Sequence, residues 1–137
     1  MLPGDYSNQI LRKKKMMSTL SKDQRARQIG KLFERHEAAV EQAVRAGESR
    51  SGAKIASGVL DQIEAMQGEI SRHFSELLEQ GKYSPSVKYE IKQVLSEQVN
   101  FLETLRAAIK TEPKKAKTVG KWVIQNDQRL IQLSDLF

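Results

Sequence analysis

Residues 53–80 carry one continuous apolar stripe: Ala56, Val59, Leu60, Ile63, Met66, Ile70, Phe74, Leu77 and Leu78. The steps are mostly three and four residues, close to a heptad repeat, and the α-helix is the regular structure that gathers such positions onto one face. At 1.5 Å per residue the helix is about 40 Å long. A stripe of that length has to be covered along its whole extent, so the rest of the chain is expected to supply long helices that run beside it.

The flanking sequence meets that requirement. Ser21-Lys22-Asp23-Gln24 reads as a capping box, in which a serine hydroxyl and a glutamine side chain satisfy opposite orphan amides. After it Ile29, Leu32, Phe33, His36, Val40, Ala43 and Val44 recur at helical spacing, while Arg25, Arg27, Lys31, Glu34, Glu37 and Glu41 lie mostly off that stripe. Gly47 is expected to stop this first helix in the left-handed conformation. A loop, Glu48-Ser49-Arg50-Ser51-Gly52, leads to the second helix, and Gly81 ends it. Gly58 and Gly68, inside the second helix, cost helix propensity and are expected to mark a close approach of a neighbour.

Ser84-Pro85 opens a third helix: serine caps, and proline at the first helical position gives up only an amide without a partner. Its face is Val87, Ile91, Val94, Leu95, Leu102, Leu105, Ala108 and Ile109, and Pro113 forbids simple continuation. A fourth, weaker helical face follows with Val119, Trp122, Val123, Leu130, Leu133 and Phe137. No strand-type alternation and no repeat of 20–50 residues is visible. The fold expected is all-α: an antiparallel bundle of about four long amphipathic helices in a single domain, residues 21–137, preceded by a flexible basic segment, residues 1–20.

The 137 residues contain 23 Lys and Arg against 17 Asp and Glu, a net charge of +6. Residues 1–20 hold four basic groups and one acid, so half of the surplus lies there, in Arg12, Lys13, Lys14 and Lys15. Lys114, Lys115, Lys117 and Lys121 form a second basic patch. Both clusters are candidates for contact with a polyanion. Aromatic residues suited to stacking on single strands are scarce beside them, with Tyr6 near the first and Trp122 near the second. A membrane-surface role has weaker support in Met16, Met17 and Leu20 beside the lysines, and no run of about 18 apolar residues exists for a span. No secretory signal pattern opens the sequence, which gives a cytoplasmic expectation.

The residue inventory argues against most chemistries. There is no cysteine, hence no disulfide framework and no thiolate ligand or nucleophile. The two histidines, His36 and His73, are expected on the helix surface or the core edge. Glu69 precedes His73 by four residues, once, whereas a bundle di-iron site uses Glu-x-x-His twice. Ser21, Ser49, Ser51 and Ser84 sit at caps and loops, and no phosphate loop, nucleophile elbow or zincin motif occurs. A helix-turn-helix tried at 116–132 fails on Lys121, Asn126 and Arg129, where apolar packing is required, and on Pro113.

These observations lead to the expectation of a non-enzymatic helical module for protein–protein interaction, of adaptor, chaperone or assembly-factor type, with no cofactor, no metal and no small-molecule substrate. Its stripe for a partner or a second copy is expected at Ile63, Met66, Ile70, Phe74 and Leu77, because a narrow bundle leaves apolar surface over. The alternative is a nucleic-acid-binding accessory protein that uses Arg12–Lys15 and Lys114–Lys121.

Overall fold

The structure, a computed structural model, describes residues 21–49, 52–81 and 83–135. Four helices account for nearly all of them: α1 (Lys22–Gly47), α2 (Ala53–Gln80), α3 (Pro85–Thr111) and α4 (Pro113–Ser134). Each packs beside the next, and α4 closes the ring against α1. The result is an all-α bundle of four helices. Arg12, Lys13, Lys14 and Lys15 lie outside the described residues.

The helix ends follow local chemistry. The Ser21 hydroxyl accepts from the Gln24 amide at 3.1 Å while the Gln24 side chain accepts from the Ser21 amide, also at 3.1 Å. Ser84 caps α3 by accepting from Val87 N–H, with Pro85 in the first turn. Between α3 and α4 the connection is Glu112 alone, held at φ −143° and ψ 73°. Proline disfavours helical geometry in the residue before it, so Pro113 both breaks α3 and starts α4. Lys114, Lys115 and Lys117 therefore lie within the opening turns of α4 rather than in a linker.

Two glycine expectations are corrected. Gly47 stays helical and Glu48 caps α1 with right-handed dihedrals; no described glycine has positive φ. Around Gly58 and Gly68 the space where a Cβ would stand is open, so neither seats a neighbouring helix. The close approach is made by Gly120, where a Cβ would come within 3.0 Å of Val44 Cγ2 and 3.4 Å of Val40 Cγ1. A side chain there would hold α4 off α1.

The core divides into two apolar clusters. One gathers Val40, Val44, Ile63, Leu105 and Val123 with their neighbours, and the other Ile29, Phe33, Ile70, Phe74, Ile91 and Leu130. Phe33 and Phe74 meet edge to face with ring centroids 6.2 Å apart. Of the stripe assigned in the sequence to a partner, Ile63, Ile70, Phe74 and Leu77 are buried, and Met66 packs against both clusters. The correction has a simple cause: three further helices reach this stripe within one chain and cover it. A surface for another molecule has to be sought elsewhere.

Phe74 has no solvent exposure. Its replacement by Ala is expected to lower unfolding free energy by about 3–5 kcal/mol in urea or guanidinium titration, as deletion of a buried aromatic does. A loss under about 1 kcal/mol would contradict the α2 register described here.

Candidate functional site

Each apolar stripe is interrupted midway by a polar side chain that points inward. On α1 it is His36, on α2 Gln67, on α3 Gln98 and on α4 Asp127, and all four are buried. They lie at one level, between the two apolar clusters, and bond to one another. His36 Nδ1 lies 2.5 Å from Asp127 Oδ2, Gln67 Nε2 lies 3.2 Å from His36 Nε2, and Gln98 Nε2 donates to Asp127 Oδ1. With the imidazole proton on Nδ1, every one of these contacts has a donor facing an acceptor.

Burial pushes the Asp127 carboxyl above the usual carboxylate range, and the hydrogen bonds and charge of His36, with the bond from Gln98, oppose that rise. Half-buried Glu37 is also raised, first by burial and then by Asp127. A histidine held at Nδ1 by a carboxylate is the orienting half of many acid–base sites. Here the nitrogen that would meet a substrate, Nε2, faces Gln67, and both His36 and Asp127 have no solvent exposure. The arrangement binds four helices together. His36 is thus at the centre of the core rather than at its edge.

A second ionic contact ties α1 to α2. Arg25, read from its spacing as lying off the stripe, is only 2% exposed and donates to Glu76 Oε2 at 3.1 Å. Its long aliphatic stem suits partial burial. His73 stands beside this pair with a buried Nδ1 that has no hydrogen-bond partner among the described residues. Burial, with the nearby Arg25 and Arg72, holds its imidazole below the ordinary value, against Glu76 and Glu69. No group of three or more His, Cys, Asp or Glu side chains among the described residues is arranged to hold a metal ion.

The outer surface differs from face to face. The groove between α1 and α4 is floored by Val40, Val44, Gly120 and Ile124 and has a volume of about 430 Å³. Lys117 and Lys121 rim it, with Arg45 and with the acids Glu41 and Glu48. Lys114, Lys115, Lys117 and Lys121 are all exposed, and Lys115 pairs with Glu112 at 2.7 Å. The basic patch is therefore interleaved with acids from α1 and from the α3–α4 turn.

The α3–α4 face has another character. Trp122, placed by its spacing on the inner face of the fourth helix, is 43% exposed and packs on half-buried Phe101 with centroids 5.8 Å apart. Two shallow grooves, of about 610 and 490 Å³, meet at this tryptophan. Their walls between the ends are neutral, with Thr104, Thr111, Thr118 and Gln125 among them. Asn126, almost wholly buried beneath the second groove, leaves its Nδ2 without a partner among the described residues. An ion pair closes each end: Glu112–Lys115 at 2.7 Å and Glu90–Arg129 at 2.9 Å. An exposed indole in a charge-poor strip with a charged rim has the composition of a protein interface. The sequence stripe missed it because Trp122 was counted with the core.

Two measurements test this description. Asp127→Ala should cost about 3–5 kcal/mol, since it strands His36 and Gln98 in the core. Asp127→Asn should cost less, because a change of imidazole tautomer and rotation of the Gln67 amide restore matched donors and acceptors; equal losses in denaturant titration would contradict the network. For His73 the folded imidazole binds its proton less tightly than the unfolded one, whose ordinary value is 6.5. The resulting stability is full above 6.5 and is lost as pH falls through the folded value. The parent should thus lose stability relative to His73→Gln on acidification through that window, and a constant difference would contradict it.

No protein-family model matches this chain, and comparison with the curated proteins and with the solved structures likewise gave no match.

Proposed function

We propose that this protein is a non-enzymatic helical module for protein–protein interaction, and that it binds through the α3–α4 face. The observation that carries the reading is Trp122, held 43% exposed against Phe101 where two grooves with threonine and glutamine walls meet between two ion pairs. A tryptophan costs free energy in water, and its side chain supplies much of the binding energy at interfaces when it becomes buried. The polar atoms in the middle of the bundle support the same reading, since they are spent on one another and are closed to substrates.

The polyanion alternative draws less from the described residues. Lys117 and Lys121 share their groove with Glu41 and Glu48, and Lys115 is paired with Glu112, so the local field is mixed in sign. Phosphate binding is driven by a surplus of cations along one track.

Site-specific photo-crosslinking tests the proposal. A photoreactive phenylalanine analogue at Gln125, beside Trp122, should give covalent protein adducts in cells that produce the protein. The same analogue at Lys31, exposed on α1, serves as the control. Adducts at 125 that vanish with Trp122→Gln, and few at 31, are the expected result. Equal labelling at both positions, or none at 125, would remove the α3–α4 face from consideration.

A further inference from the structure

The charges on the α3–α4 face are ordered, and their order selects an occupant. On α4, Lys115, Trp122 and Arg129 follow one another at intervals of seven residues. On α3, Glu90 and Phe101 are separated by eleven, and Glu112 follows at the same interval at the helix end. Within the chain the two rows are joined at three points: Lys115 bonds Glu112, Trp122 stacks on Phe101, and Arg129 bonds Glu90. One helix thus reads cation, indole, cation, and its neighbour reads anion, phenyl, anion, with exposed Glu97 a further anion between Glu90 and Phe101.

From this geometry we infer that the occupant of the face is a second copy of this chain, related by a two-fold axis that runs along the α3–α4 groove. The inference rests on the interaction reading above and names its partner. Rotation about such an axis lays α4 of one copy over α3 of the other at the same level. Arg129 then meets the second copy's Glu90, Lys115 meets its Glu112, and the two Trp122 rings close over the two Phe101 rings. Each of these four charges faces its opposite, as a self-complementary interface requires. The other face-to-face two-fold, with its axis across the helices, sets α4 on α4 and brings Lys115 against Arg129; like charges then oppose at both ends.

The contact spans about 21 Å along α4 between Lys115 and Arg129. Two helices side by side are about 20 Å across. A patch of that size falls at the small end of specific interfaces, so association is expected in the micromolar range rather than the nanomolar.

Sedimentation velocity over a concentration series reads the outcome. Arg129 and Glu90 are each about half exposed, and single reversals should leave helix content and melting temperature close to the parent's. The parent should pass from 15.5 kDa to twice that mass as concentration rises. Arg129→Glu alone and Glu90→Arg alone should each shift the midpoint upward by tenfold or more. An equimolar mixture of the two variants should recover most of the parent's association, because each altered residue then meets its altered counterpart across the axis. A parent that stays at 15.5 kDa throughout overturns the inference. So do single variants that dimerise like the parent, and so does a mixture no better than its components. If the parent is monomeric yet position 125 still crosslinks to a foreign chain, the second copy is lost as partner while the interaction reading survives; loss of the crosslinks as well removes both.

Discussion

The buried pair of His36 and Asp127 sets the terms for the rest of this bundle. An ionisable carboxylate removed from water is costly unless donors surround it; here His36 on α1 and Gln98 on α3 donate to it, and Gln67 on α2 donates to His36. Apolar contacts alone tolerate sliding by a turn, because one leucine replaces another at little cost. A hydrogen-bonded layer does not, since displacement of any one helix strands a polar atom in the core. The layer therefore fixes the level of all four helices relative to one another, and we regard it as a register device in the sense long known for polar positions in coiled coils.

Its position has consequences above and below. The apolar core is split into two clusters, one rich in Ala and Val and the other in Ile, Leu and Phe, and among the described residues Met66 alone packs against both. At one end Gly120 brings α4 against Val40 and Val44, and at the other Arg25 and Glu76 hold α1 to α2. Once Asp127 is turned inward, the rotation of α4 about its own axis is decided. Val123 and Leu130 follow it into the core, and Trp122, one residue from Val123, must turn toward the outside. The exposed indole is in this way a consequence of the polar layer, and so is the row of Lys115, Trp122 and Arg129 on the outward face.

A face produced so differs from surplus hydrophobic surface. The aromatic contact lies between level ion pairs, with threonines and a glutamine along the walls. Neutral polar residues lose little on desolvation when they find partners, whereas lysines and glutamates in the same place would resist burial. The chain keeps its charges at the two ends of this strip, where they remain hydrated and can direct an approaching surface.

Much of the architecture was legible in the sequence because it is written in local terms. The Ser21 capping box, the Ser84-Pro85 start and the break before Pro113 depend on residues within one turn. The stripes of α1, α2 and α3 show at helical spacing, and four strongly amphipathic helices leave little choice of fold class. The polar layer left a faint trace: His36, Gln67, Gln98 and Asp127 each occupy an inward position of their helix, one per helix. That trace does not say which of them meet. The fate of the α2 stripe, the inward turn of Arg25 and the outward turn of Trp122 were decided by tertiary structure alone. An amphipathic stripe specifies that a surface must be covered but not by what, and the rotation of a helix with apolar residues on two sides depends on which side its neighbours reach first. Here a buried carboxylate on α4, its donors on α1 and α3, and the link from His36 to α2 decided that rotation, through contacts between residues as far apart in the chain as His36 and Asp127.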